Sequence, residues 1–218
     1  SDLLDDALYY FNRCLDINKV SYSTHYNLGI VYNKKNLIDK AISAYKDSIN
    51  INPNYFESYF NLGNIFLEKQ EFKKAIKNFE EAYKIQKNDF ELLNNLGMAY
   101  EEIEENQKSI ECLEKSILLN PQYFLAYNNL GLVLHKIKFY EKAYVNYIKC
   151  LEFKPDFVDA LNNLGLLMQD LKKYDEAIKY FEKVLFLDSG YIKTYNNLGN
   201  IYADLCDFDK AKKYYKED

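Results

Sequence analysis

Apolar and small residues recur at spacings of three and four, the period of a helix with one buried face. His25, Leu28, Gly29 and Tyr32 share such a face, and so do Tyr59, Leu62, Gly63 and Phe66. A polar interval follows each stretch. A second helical stretch then carries Ala41 and Tyr45, or Ala75 and Phe79. The pattern predicts amphipathic helices in pairs, and no pair is large enough to bury its own apolar face.

The pairs are copies of one another. Asn-Leu-Gly occurs at Asn27-Leu28-Gly29, Asn61-Leu62-Gly63, Asn95-Leu96-Gly97, Asn129-Leu130-Gly131, Asn163-Leu164-Gly165 and Asn197-Leu198-Gly199, always 34 residues apart. Chance does not place six copies in one register, and a fixed period of this length signals a repeat array. With the glycine numbered as position 8 of each repeat, position 11 holds Tyr32, Phe66, Tyr100, Leu134, Met168 and Tyr202. Position 20 holds Ala41, Ala75, Ser109, Ala143, Ala177 and Ala211, and position 24 holds Tyr45, Phe79, Leu113, Tyr147, Phe181 and Tyr215. Position 32 holds Pro53, Pro121 and Pro155. Small residues at positions 8 and 20 let two helices approach closely, and the large residue at position 24 is expected to fill the space between neighbouring repeats. Proline at position 32 is expected to end the second helix, because it lacks the N–H and clashes with the preceding turn.

These motifs resemble the tetratricopeptide repeat over essentially the whole chain. The resemblance implies an all-α fold, a right-handed superhelical solenoid of helix–turn–helix repeats. Residues 1–218 then form a single array: 1–21 is the second helix of a truncated preceding repeat, 22–55, 56–89, 90–123, 124–157 and 158–191 are full repeats, and 192–218 is nearly complete. Position 4, often tryptophan in the family, is His25, Tyr59, Leu93, Tyr127, Leu161 and Tyr195 here. Lys87 and Ser189-Gly190 stand where other joints have proline, so those joints are expected to be softer. Both ends look cut. The chain is therefore expected to be a slice of a longer array, or to self-associate through its terminal helices.

Composition narrows the function. The chain is 48% hydrophobic and 28% charged, which suits a folded protein, and its net charge of −5 lacks the basic stripe that nucleic acid requires. Cys14, Cys112, Cys150 and Cys206 form no close pair, so neither a disulfide framework nor a metal site is expected, and an intracellular, cytoplasmic or nucleocytoplasmic setting fits best. No apolar run is long enough for a membrane span.

Catalysis has no support either. Six of the seven glycines are position-8 packing residues and the seventh, Gly190, lies in a joint, so no phosphate loop remains to be built. His25 replaces a packing aromatic. His135 projects toward the ligand side but has no nucleophile or metal partner in sequence. Cys14 and Cys150 occupy position 27, where a small buried residue is expected. Glu101-Glu102-Ile103-Glu104-Glu105 reads as a solvated acidic patch, or as a dock for a basic segment. No cofactor is expected.

In the tetratricopeptide family the first helices line a concave face through positions 2, 5, 6, 9, 12 and 13. Position 6 here is always asparagine: Asn27, Asn61, Asn95, Asn129, Asn163 and Asn197. Position 5 is asparagine in the last four repeats, at Asn94, Asn128, Asn162 and Asn196, and position 9 adds Asn64 and Asn200. Asparagine is a mediocre helix former, so helix propensity does not ask for it. A primary amide offers donors and an acceptor together, which suits the backbone of an extended peptide. The expected partners are therefore other proteins or peptides, held as extended segments on an asparagine ladder. The alternative is that the position-6 amides bond to neighbouring repeats and shape the array. The Asn-Asn-Leu-Gly repeats also resemble the tetratricopeptide arm of O-GlcNAc transferase and SPINDLY-type O-fucosyltransferases. That resemblance implies a substrate-recognition arm whose catalytic domain is not in this chain. Position 5 is never lysine and position 6 never basic, which argues against a clamp for the acidic tails of heat-shock chaperones.

Overall fold

The computed structural model describes residues 2–216, and among these the chain is all-helical. The helices are α1 (Asp2–Ile17), α2 (Tyr22–Lys34), α3 (Ile38–Ile51), α4 (Phe56–Glu68), α5 (Phe72–Ile85), α6 (Phe90–Glu102) and α7 (Asn106–Leu119). They continue as α8 (Phe124–Lys136), α9 (Tyr140–Phe153), α10 (Val158–Asp170), α11 (Tyr174–Leu187), α12 (Ile192–Asp204) and α13 (Phe208–Tyr214). Residues 1–112 and 113–218 each form a compact unit. Within each unit a first helix packs chiefly on the second helix of its own repeat, as α2 does on α3 and α8 on α9.

Local rules explain the boundaries. Ser21 caps α2 by accepting from the Thr24 N–H at 3.3 Å, and Asp89 caps α6 by accepting from Leu92 at 2.7 Å. Each described turn inside a repeat places one residue in the left-handed region: Asn36, Gln70, Glu104, Lys138, Lys172 and Cys206, with φ from 57° to 65°. The next N–H then reaches back over the helix end, as Leu37 does to the Tyr32 carbonyl at 2.8 Å and Lys173 to Met168 at 2.9 Å. This is the Schellman closure, made here without glycine.

Proline does not set where the second helices stop. α5 ends at Ile85 and α11 at Leu187, the same repeat position at which α3 and α9 end, although Lys87 and Ser189 replace proline. The common cause is an extended residue after the helix: Asn52 at φ −129°, Gln86 at −133° and Asp188 at −143°. Proline favours that conformation in the residue before it but is not required for it.

The position-24 side chains pack against the glycine of their own repeat, and Tyr45 also meets Asn61 of the next one. A Cβ added at Gly29 would lie 2.5 Å from the Tyr45 ring, and one at Gly131 would lie 2.6 Å from the Tyr147 ring. Tyr45, Phe79, Tyr147 and Phe181 are fully buried, and such burial contributes roughly 1.5–3 kcal/mol per side chain. In residues 1–112 the core runs through Tyr45, Leu62, Phe79, Leu92 and Leu96. In residues 113–218 Tyr147, Leu161, Leu164, Phe181 and Leu198 are buried in the same way.

Candidate functional site

The first helices of each unit present a common face, and the asparagines lie on it at two depths. Asn27, Asn61, Asn95, Asn129, Asn163 and Asn197 are all half-buried. Asn94, Asn128 and Asn162 are buried, at 2%, 7% and 6% exposure, while Asn196 and Asn64 are half-buried and Asn200 is exposed. The depth follows from the helix turn. Position 5 points toward the partner helix, and position 6 sits about 100° further round, toward solvent.

Hydrogen bonds tie successive repeats through these amides. In residues 113–218, Asn163 Nδ2 donates to Asn128 Oδ1 at 3.1 Å, and Asn197 Nδ2 donates to Asn162 Oδ1 at 3.4 Å. Thr194 Oγ1 donates to the same Asn162 oxygen at 3.3 Å. In residues 1–112, Asn61 Nδ2 donates to the Tyr26 hydroxyl at 3.3 Å, so the tyrosine at position 5 replaces the missing amide. Asn95 Nδ2 donates instead to Asn64 Oδ1 at 2.9 Å. Asn200 Oδ1 accepts from the Tyr215 hydroxyl at 2.7 Å. A rung uses one N–H of a position-6 amide. At Asn163 and Asn197 the second N–H and the carbonyl oxygen have no partner among the described residues.

Sequence reasoning read position 9 only for its asparagines. The structure adds Met98 and Leu132 there, 38% and 41% exposed, and the half-buried Leu166. The same spacing that flagged the asparagines could have flagged these, since they are apolar residues on a polar face. Elsewhere, His135 Nε2 lies 2.9 Å from Asp170 Oδ2, and its ring meets Tyr140 and Tyr147 edge-on. His25 stands 4.0 Å from Asp47. Cys150 is fully buried, and burial pushes its thiol up to about 12, whereas Cys14 is exposed on α1 rather than packed. Among the described residues no cluster of three or more metal-ligating side chains occurs, and no helix is long and apolar enough to cross a membrane.

Tetratricopeptide-repeat models match residues 31–70, 63–104, 90–123, 125–157 and 156–217. The crystal structure of MamA protein is 31% identical, with a TM-score of 0.69, over 79% of this chain and 94% of that one. The chain is a tetratricopeptide-repeat protein. Two further structures share the fold. YrrB, described as a tetratricopeptide-repeat protein with an unusual peptide-binding site, is 19% identical, with a TM-score of 0.70 over 84% of this chain and 95% of its own. The APC/C hetero-tetramer Cut9–Hcn1 is 20% identical, with a TM-score of 0.82 over 98% of this chain and 42% of its own. No curated protein matches the sequence. The tetratricopeptide repeats put every position-6 asparagine at one equivalent place on a first helix. The face can donate and accept hydrogen bonds at each repeat.

Proposed function

We propose that this tetratricopeptide-repeat protein is an interaction scaffold that holds extended segments of other proteins on its first-helix faces. The observation that carries the reading is the amide at position 6 of every repeat, half-buried and, at Asn163 and Asn197, still able to donate and accept after its rung is made. An extended chain presents one N–H and one C=O per residue, and such amides match both. The likeness to a peptide-binding tetratricopeptide protein such as YrrB supports the reading. The buried position-5 amides Asn128 and Asn162 serve the ligand by holding Asn163 and Asn197 in place. Four unpaired cysteines suit a reducing intracellular setting.

The test is a random-peptide display selection followed by fluorescence anisotropy on the wild type and an Asn61, Asn95, Asn163→Ala variant. Each lost hydrogen bond contributes about 0.5–1.5 kcal/mol, so the triple variant is expected to bind about tenfold more weakly or worse. Equal binding by a variant that circular dichroism shows to be folded would make the ladder purely structural. A narrower reading rests on the Asn-Asn-Leu-Gly motif of four repeats. It makes the array the substrate-selecting arm of an O-glycosyltransferase, with catalysis in a part of the polypeptide outside this chain. That arm would select peptides with little side-chain preference.

A further inference from the structure

We propose that the first-helix face of residues 1–112 takes a basic stretch of the extended partner segment, with one lysine or arginine side chain seated at Tyr22, Tyr26, Tyr55 and Glu57. The proposal rests on the scaffold reading and deepens it by naming the chemistry of the partner.

The first observation is where the charge lies. Residues 1–112 hold 18 aspartates and glutamates against 13 lysines and arginines, whereas residues 113–218 hold 15 of each. The excess falls on two first helices. α4 and α6 carry Glu57, Glu68, Glu91, Glu101 and Glu102 and no basic residue, although α5 between them has four lysines. Glu57 and Glu91 stand at position 2, and Glu68 and Glu102 at position 13, on either side of the asparagines in sequence. These four are exposed and form no ion pair among the described residues. Glutamates of the second-helix stretches instead take a lysine one turn on, as Glu81 does with Lys84 at 2.7 Å and Glu105 with Lys108 at 3.5 Å. Lys35 and Lys69, just after α2 and α4, bring acids of their own, Asp5 for the first and Asp39 and Glu71 for the second. At positions 2 and 13 Lys34 alone opposes the four glutamates, whereas in residues 113–218 Lys136 and Lys193 oppose Asp159, Asp170 and Asp204.

The second observation is a group of rings around one of these carboxylates. Position 5, asparagine in four repeats, is Tyr26 in the first. The rings of Tyr22 and Tyr26 both meet Tyr55 edge-on, with centroids 4.9 and 5.2 Å from it. Tyr22 is 37% exposed, and Tyr26 and Tyr55 are half-buried. Glu57 stands beside them. Burial first, and then the Glu57 carboxylate, hold the Tyr55 phenol above its ordinary value. Burial also raises Tyr26, against the hydrogen bond from Asn61, and Glu57 adds to the rise. The Tyr26 hydroxyl accepts the Asn61 N–H at 3.3 Å, so the rung survives without an asparagine at position 5. What the tyrosine adds is an aromatic surface next to an uncompensated carboxylate. Phe124 and Phe157 repeat the outer ring pair at 5.0 Å in residues 113–218, but Asn128 stands there in place of the third ring.

The two observations select the same occupant. A cation is drawn to an aromatic ring by the ring's quadrupole, and a carboxylate beside the ring supplies the counter-charge. The glutamates at positions 2 and 13 then steer a basic segment onto the amides and repel an acidic one.

The probes are serine-rich peptides carrying arginine at three alternate positions, and matched peptides with leucine or glutamate there. The arginine peptides are expected to bind the wild-type chain more tightly than either, by a margin that shrinks as salt is added. Glu57→Gln together with Glu91→Gln should weaken them about fivefold at low salt, as the loss of two exposed charge pairs does. Tyr26→Asn should weaken them about threefold, whereas Tyr26→Phe, which keeps the ring, should not. Glu141→Gln together with Glu176→Gln removes as much charge from exposed places on α9 and α11 and should leave binding unchanged. Circular dichroism checks that each variant is folded, and the glutamates, being exposed, are changed without disturbing the core. Leucine or glutamate peptides bound as tightly as the arginine ones would overturn the proposal. So would equal losses in the two double-glutamine variants, or an arginine preference left intact by a folded Tyr26→Asn chain. The scaffold reading would survive any of these results if binding still depended on the position-6 asparagines. No binding of any peptide would overturn both.

Discussion

Asn163 donates a side-chain N–H to Asn128, 35 residues earlier in the chain, and so closes a rung between consecutive repeats. Asn128 is the buried member of the pair and Asn163 the half-buried one. The asparagines therefore have two duties divided by depth, the inner row joining repeats and the outer row facing solvent. Asn128→Ala removes the acceptor and leaves a cavity, and it should destabilise the chain by about 1–2 kcal/mol. Urea unfolding followed by circular dichroism measures this directly. Asn27→Ala, at the outer row with no rung of its own among the described residues, should cost much less.

Two buried hydroxyls are unsatisfied. Tyr147 and Ser109 have no hydrogen-bond partner, and other repeats carry phenylalanine and alanine at those places. Tyr147→Phe and Ser109→Ala should each stabilise the chain by about 1 kcal/mol, because they remove the desolvated group and keep the packing. A lower urea midpoint for either variant would mean that its hydroxyl is satisfied in solution.

The same burial predicts a pH dependence. It pushes the Tyr147 phenol well above its ordinary value of 10.0, and Tyr45 is raised for the same leading reason. A raised folded value means that the unfolded chain loses its proton first. The contribution is fully present below pH 10 and is lost as pH rises above it. Stability should therefore fall from about pH 9 to about pH 11, and it should fall less steeply in Tyr147→Phe. Urea midpoints at a series of alkaline pH values test the slope.

Glycine at position 8 is required by the ring against it. Gly29→Ala would bring a Cβ to 2.5 Å from Tyr45, whose ring is fully buried and has nowhere to move. The expected loss is about 1–3 kcal/mol. Gly29→Ala combined with Tyr45→Leu should cost less than the two single changes together. The third repeat already carries leucine at position 24, at Leu113. A double-mutant cycle gives the coupling.

Lys138 holds φ at 65° although it has a side chain. Lys138→Gly should relieve about 1 kcal/mol of backbone strain, reduced by the greater freedom of glycine in the unfolded chain. Lys138→Val should destabilise, since a β-branched side chain resists the left-handed region. Thermal melts of the two variants should move in opposite directions.

The sequence alone determined the helix pairs, their 34-residue register and the family, because apolar periodicity and small-residue contacts are properties of one chain in one dimension. It also placed every asparagine of the ladder on a first helix. It misjudged what stops the second helices, since extended residues such as Gln86 end them without proline. It could not see the rungs or the depths. Which oxygen meets which N–H across 35 residues depends on how far one repeat advances on the next, and that distance comes from side chains packing in three dimensions. The orphaned Tyr147 hydroxyl became visible for the same reason.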